Sequence, residues 1–163
     1  MGPVTTEFMR LAAYGVCTRD DQILLARYVS PDGDRRHWTL PGGRVEHAED
    51  PYDAVGREFE EETGYRIRVD RLLGIDSRRE LVDWAGPDGG SMHRVAIFYA
   101  VRIVGGELRH EVDGSTDLAA WVPTSEVAAA TRSTSVDVGI RLAAARPADG
   151  RAEPVAVGGL VRY

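Results

Sequence analysis

The 163-residue chain predicts an α/β (α+β) domain built on a mixed β-sheet. Three observations carry this. Strand-like and helix-like stretches interleave along the chain. Several strand-like stretches are joined by short polar breaks that read as hairpin turns, so the sheet includes antiparallel pairs. The length suits one domain, residues 1–163, that can bury its own core.

Residues 1–6 read as a ragged end. Phe8 to Thr18 is rich in apolar residues and predicts a strand, and after the break Arg19-Asp20-Asp21 the stretch Gln22 to Val29 predicts its returning partner. Ser30 to Arg36 is a loop with a Pro-Asp-Gly turn signal. His37 to Leu40 is a short extended piece that stops at Pro41-Gly42-Gly43. A helix is predicted over Pro51 to Thr63: Asp50 suits the N-cap, Pro51 the first helical position and Gly64 the C-terminal cap. At 100° per residue, Tyr52, Val55 and Phe59 share one face and should meet the sheet. Ala54, Glu58, Glu61 and Glu62 lie on the adjoining face, while Asp53, Arg57 and Glu60 point towards water.

Further along, Tyr65 to Asp76 predicts a strand, Asp83 to Ser91 a loop, and Met92 to Val104 a buried strand. Gly105-Gly106 reads as a turn or bulge. Leu118 to Val122 is another strand, Thr124-Ser125-Glu126 starts a helix, and Val136 to Arg146 forms a second. In residues 147–163, Val155 to Val157 and Leu160 to Tyr163 read as a last strand or a tail.

Composition removes several chemistries. All 20 basic residues are Arg, so neither a Schiff-base lysine nor a phosphate-binding loop lysine is available. The single Cys17 lies in an apolar stretch and reads as a small buried hydrophobe in a reducing compartment. With no membrane span or secretory signal in view, the expectation is a cytoplasmic protein without a membrane partner. A pI near 5.2 argues against nucleic acid as a partner. The charge of -6 is concentrated: Glu46 to Glu62 holds eight acids and one base, Arg57, and the rest of the chain is nearly neutral.

Glu58, Glu61 and Glu62 stand at i, i+3 and i+4, so one helix face presents three carboxylates that repel one another. A hard divalent cation such as Mg²⁺ removes that penalty and leaves room for substrate phosphates. On the helix alone, a solvated charged face is the usual outcome of such a run. The Gly-rich loop seven residues upstream shifts the balance, because Gly42-Gly43 allows close backbone approach.

Residues 43–65 read GRVEHAEDPYDAVGREFEEETGY. This resembles the Nudix box, G-x5-E-x7-R-E-U-x-E-E-x-G-U, with U bulky and apolar or aromatic. Gly43, Glu49, Arg57, Glu58, Phe59, Glu61, Glu62, Gly64 and Tyr65 all fit. Seven fixed residues match by chance about once in 10⁸ windows. The preceding Pro41-Gly42-Gly43, the acid Glu46 and the Trp121-Val122-Pro123 run extend the resemblance over about residues 8–130. One departure is Ala48, where many members have Gly.

The resemblance implies a Nudix fold, a mixed sheet sandwiched between helices. It also implies Mg²⁺-dependent (or Mn²⁺-dependent) hydrolysis of a nucleoside diphosphate linked to another moiety, such as a nucleoside triphosphate or nucleotide sugar. Glu58 and Glu62 would hold the metal with the Gly42 carbonyl; Glu61 would be a further ligand or position the water. Arg57 would orient Glu49 and Glu61. A late-loop acid commonly assists, and among Glu107, Glu111, Asp113 and Asp117 the leading pair is Glu111 and Asp117. The alternative is a catalytically silent nucleotide-binding or regulatory module, though such modules often lose box carboxylates and this chain keeps them all. Neither the Pro nor the Tyr that marks some substrate groups about sixteen residues past the box is present, since residues 79–83 are Arg, Glu, Leu, Val and Asp.

For the substrate, Arg27, Arg35 and Arg36 are candidate phosphate contacts, and Trp38 or Tyr28 could stack on a base, although core packing is the favoured reading of Trp38. Arg10, His37, Arg78, Arg79 and His93 stand behind these. Trp84, in its Gly-rich loop, is placed to cap a pocket or to meet a second copy in a homodimer.

Overall fold

A computed structural model describes residues 6–82, 84–86, 88–155 and 160–161. The strands are β1 (Thr6–Val16), β2 (Thr18–Arg19), β3 (Gln22–Val29), β4 (Arg36–Thr39), β5 (Gly42–Arg44), β6 (Tyr65–Val82), β7 (Gly90–Gly106), β8 (Thr116–Pro123), β9 (Arg132–Ser133) and β10 (Leu160–Val161). The helices are α1 (Pro51–Thr63), α2 (Thr124–Val127) and α3 (Thr134–Ala145). There are two sheets. The first runs β5-β1-β7-β6, with β1 parallel to β7 and the other neighbours antiparallel. The second runs β10-β9-β4-β3-β2, and β8 also pairs with β3.

Side-chain alternation along β1 explains the layering. Ala12, Tyr14 and Val16 point to a core shared with Ile23, Leu25, Leu40, Phe98 and, from α3, Val136 and Leu142. Ala13 points the other way, to Ala54 and Val55 of α1. Phe59 of α1 packs with Cys17, Leu24 and Val101. Gly15 makes that contact fit, because a Cβ there would lie 2.9 Å from the Phe59 ring. The first sheet therefore sits between α1 and α3, the mixed α+β arrangement expected.

Helix α1 has the predicted limits. The Asp50 side chain accepts from the Tyr52 N–H at 2.8 Å, and Gly64 closes the helix at φ 76°. Two predicted facings fail, that of Arg57 at the site described below and that of Tyr52, which is half exposed against the edge of the Tyr99 ring while Ala54 takes a buried place beside Val55. The break before Gln22 is a two-residue turn with Asp20 and Asp21 both at φ 45°, the left-handed pair that suits a twisted hairpin.

The larger correction concerns strand length. β6 continues six residues beyond Asp76, and β7 begins at Gly90 and ends at Gly106; Gly105-Gly106 is not a turn, and the bulge alternative holds, since the register against β6 shifts between Arg66 and Ile67. Charged residues 76–82 are held as strand by pairing with residues 90–96, a long-range cause that local composition does not carry. At the other end Gly106 lies against the carbonyl of Gly64, where a Cβ would come within 2.2 Å. The expected loop shrinks accordingly, with Asp83 and Pro87 outside the described residues. Leu160 and Val161 do pair, parallel to β9; of the other tail residues expected to form strand, Val155 has none and 156, 157, 162 and 163 lie outside the description. No helix among the described residues is long and apolar enough to cross a membrane.

Candidate functional site

The site forms where β5 meets the second half of α1. Gly42 sits at φ 139°, a backbone conformation that disfavours side chains, and a Cβ there would be 2.2 Å from the Ala13 carbonyl oxygen. This close approach aims the Gly42 N–H at Glu62, whose Oε2 accepts it at 2.9 Å. The expectation placed the Gly42 carbonyl at the site; the contact observed is through the amide. Gly43 is needed for a related reason: a Cβ there would be 2.9 Å from the Glu58 carboxyl carbon.

Arg57 organises the acids. Its Nε and Nη2 donate to the two oxygens of Glu49 at 2.8 and 2.9 Å, and its Nη1 reaches Glu58 at 2.9 Å and Glu61 at 3.3 Å. Glu49 is fixed from behind by the Glu46 N–H. The Arg57 hydrogen bonds hold the Glu49 carboxyl down to about 2, and Arg57 itself is pushed up by the same contact. Arg57 thus faces the carboxylates and not open water, and it touches Glu58 as well as the two acids expected.

Glu62 is almost fully buried. Burial pushes its carboxyl well above the ordinary range; the Gly42 N–H opposes this, and the charges of Glu58, Glu111 and Glu61 add to it. Burial raises Glu58 too, with Arg57 opposing and Glu61 and Glu111 adding. Glu111 comes from the segment between β7 and β8, which the Arg109 N–H ties to the Thr63 carbonyl at the end of α1 at 3.0 Å.

The paired alternative, Asp117, goes elsewhere. It accepts from Arg27 at 2.8 and 2.9 Å and stands 3.5 Å from Arg36, and the Arg27 hydrogen bonds hold its carboxyl below the usual range. One face of β8 carries that ion cluster, so the acid and two of the proposed phosphate contacts are engaged with one another. Arg35 is exposed, with no carboxylate in ion-pair range among the described residues. Trp38 packs against the central core. Tyr28 lies 4.8 Å from the ring of buried His37, whose pKa burial lowers to about 4. Arg78, Arg79 and His93 line a separate cavity of about 560 Å³ with Glu7, Phe8, Met9, Ser77 and Ser91. Trp84 is exposed and tilted against Phe8 at 5.3 Å. Cys17 is buried, and burial raises its thiol to about 11, which makes it a packing residue and not a nucleophile.

Residues that the motif does not reveal are Thr116, which binds Glu111, and buried Arg94 with its partner Glu80 at 3.3 Å. Neither carries a local signal; both depend on partners brought together by the strands.

Among the described residues, no three acidic, histidine or cysteine side chains converge as a finished cation cage. Arg57 draws Glu58 and Glu61 to itself, and the Gly42 amide holds Glu62. The donor set still suits a hard cation. Four carboxylates bear on one another, one of them deeply buried, and the one guanidinium among them is already bidentate on Glu49.

The fold and this acid cleft define a class: a sheet held between helices, with a glycine loop and a helix framing an oxygen-donor site. The NUDIX domain model matches residues 9–140, and the chain belongs to that family. It is 34% identical over 114 residues to a MutT-like protein of Streptomyces ambofaciens, covering 55% of this chain and 71% of the relative. It is 34% identical over 99 residues to an ADP-ribose pyrophosphatase of Methanocaldococcus jannaschii, covering 61% of this chain and 54% of that protein. Against a CMP-5'-(N-acetyl-N-hydroxy-3-aminopropyl)phosphonate hydrolase of Streptomyces rubellomurinus the figures are 37% over 108 residues, 66% and 46%. The chain thus spans only about half the length of several curated relatives. A solved MutT NUDIX hydrolase from Burkholderia pseudomallei superimposes with TM-score 0.53 at 31% identity, over 71% of this chain and 84% of that one. The Escherichia coli ORF135 protein shares the fold, with TM-score 0.61 at 24% identity over 91% of this chain and 100% of the other.

Proposed function

We propose that this protein is a divalent-metal-dependent pyrophosphohydrolase that cleaves a nucleoside diphosphate linked to another moiety. The observation that carries the reading is the complete acid set of the box, gathered around buried Glu62. Two relatives named for cleaving ADP-ribose and a CMP conjugate support the substrate class.

Glu58, Glu61 and Glu62 would hold Mg²⁺, with Mn²⁺ as substitute, and the Gly42 carbonyl would complete the set. When bound, the cation polarises phosphoryl oxygens and makes water a usable nucleophile at neutral pH. The chain supplies the rest. Arg57, anchored on Glu49, aligns Glu58 and Glu61. Glu111 takes the proton of the attacking water, and Asp117 acts at one remove by holding Arg27 and Arg36. Arg35, exposed and with no carboxylate in ion-pair range among the described residues, would meet a phosphate without breaking a pair, while Arg27 and Arg36 would do so by partly leaving Asp117. A cytoplasmic setting belongs to the same reading, supported by the lone buried Cys17.

The test is a panel of nucleoside triphosphates, ADP-ribose, nucleotide sugars and dinucleotides with Mg²⁺ or Mn²⁺, run beside calorimetric titration of the cation. Turnover that falls by orders of magnitude in Glu61→Gln, with cation binding lost in Glu58→Gln, is expected. Cation and nucleotide binding without turnover would favour the silent module instead.

A further inference from the structure

The segment between β7 and β8 is tied down at several points. The Arg109 N–H donates to the Thr63 carbonyl at the end of α1 at 3.0 Å, and His110 Nδ1 accepts from the Ala119 N–H at 3.1 Å. Between these ties and β8 lies Glu111. Both donors of Thr116, its N–H at 2.9 Å and its hydroxyl at 2.6 Å, converge on one carboxylate oxygen of Glu111, Oε2. Thr116 is itself buried. Gly114 leaves the space this requires, since a Cβ there would lie 1.9 Å from the Glu111 carboxyl. The other oxygen, Oε1, receives no protein hydrogen bond among the described residues, and the Glu111 charge is felt at Glu58 and Glu62.

We propose that Thr116 is a positioning residue: its two donors clamp Oε2 of Glu111, seated in the space Gly114 leaves open, and so fix the orientation of that carboxylate on the segment that Arg109 ties to the end of α1. This rests on the reading of the site as a hydrolytic one in which Glu111 takes a proton. The clamp holds a carboxylate on a long loop in one rotamer. Without it, Glu111 loses the donors that select its orientation, while substrate and cation contacts made by other residues are untouched. The effect therefore belongs to kcat and not to KM.

The experiment compares Thr116→Val, Thr116→Ser, Glu111→Gln and the double variant Thr116→Val/Glu111→Gln with wild type, on whichever panel compound is turned over, at saturating Mg²⁺. Glu111→Gln should lower kcat about 10²-fold. Thr116→Val, which keeps shape and loses the hydroxyl, should lower kcat about tenfold with KM within about twofold. Thr116→Ser should restore most of it. The double variant should be no slower than Glu111→Gln alone, because the clamp acts only through that carboxylate. Melting temperatures check that each variant is folded; if Thr116→Val is not, Gly114→Ala, on the surface loop, takes its place with the same expected split. Wild-type kcat in Thr116→Val, or losses that add in the double variant, overturns the clamp while leaving the hydrolytic reading intact. An inert wild type overturns the hydrolytic reading itself.

Discussion

At the scale of single residues, Glu62 carries the largest physical consequence because it is the least water-exposed carboxylate of the site. A carboxyl whose folded-state pKa is raised costs stability once pH rises above its unfolded value near 4.5, since the unfolded chain releases its proton first. Glu62→Gln should therefore raise the melting temperature of the metal-free protein at neutral pH, with little change below pH 4. It should also remove most of the stabilisation that Mg²⁺ gives wild type. A thermal scan against pH, with and without Mg²⁺, reads both effects. Ala48 offers a second case. It sits at φ 64°, the left-handed region, where the family often has Gly. Ala48→Gly should raise unfolding free energy by about 1 kcal/mol in a urea titration, because the Cβ penalty disappears. The motif showed the departure from Gly, but only the backbone shows why that position favours Gly.

At the scale of elements, α1 was legible almost residue by residue, and for local reasons. Cap, proline, heptad-like spacing and terminal glycine all lie within sixteen residues and agree. Its two kinds of support should differ in weight. Asp50→Ala removes one capping bond and should cost about 1 kcal/mol. Phe59→Ala empties the core contact against Gly15 and Val101 and should cost about 3–5 kcal/mol in the same chemical unfolding experiment. The strands were less legible. The apolar run of β3 predicts its limits, yet β6 extends beyond its predicted end because its second half is charged and is strand only through β7. The late-loop acids were undecided for the same reason. Glu111 and Asp117 look alike in sequence, and what separates them is Thr116 on one side and Arg27 and Arg36 on the other.

At the scale of the whole molecule, His37 and Glu49 both weaken the fold as pH falls. Burial holds His37 neutral down to about pH 4, while in the unfolded chain it takes a proton near 6.5. The unfolded state thus binds more protons between these values, and stability falls as pH drops through that window. Glu49 follows below, its pairing with Arg57 present in full above about 4.5 and lost as pH falls towards about 2. His37→Gln should flatten the upper part of this acid limb and leave the lower part in place, measured by urea midpoints from pH 7 to pH 3.

The long β6–β7 hairpin shares its first half with the packed sheet and extends its second half outward along β1. β6 is the rim of its sheet, and its outer side is met at Ile75 by the Gly150 carbonyl at 2.9 Å. Amide hydrogen exchange should therefore be graded along this one strand. Protection should be strong near Val69 and Leu73, where α1 and α3 press on the two faces, and should fade beyond Ile75 towards Val82. The arm could then open and close from its tip on a faster clock than the cleft at Glu62, and isotope uptake would time the two ends of a single strand separately.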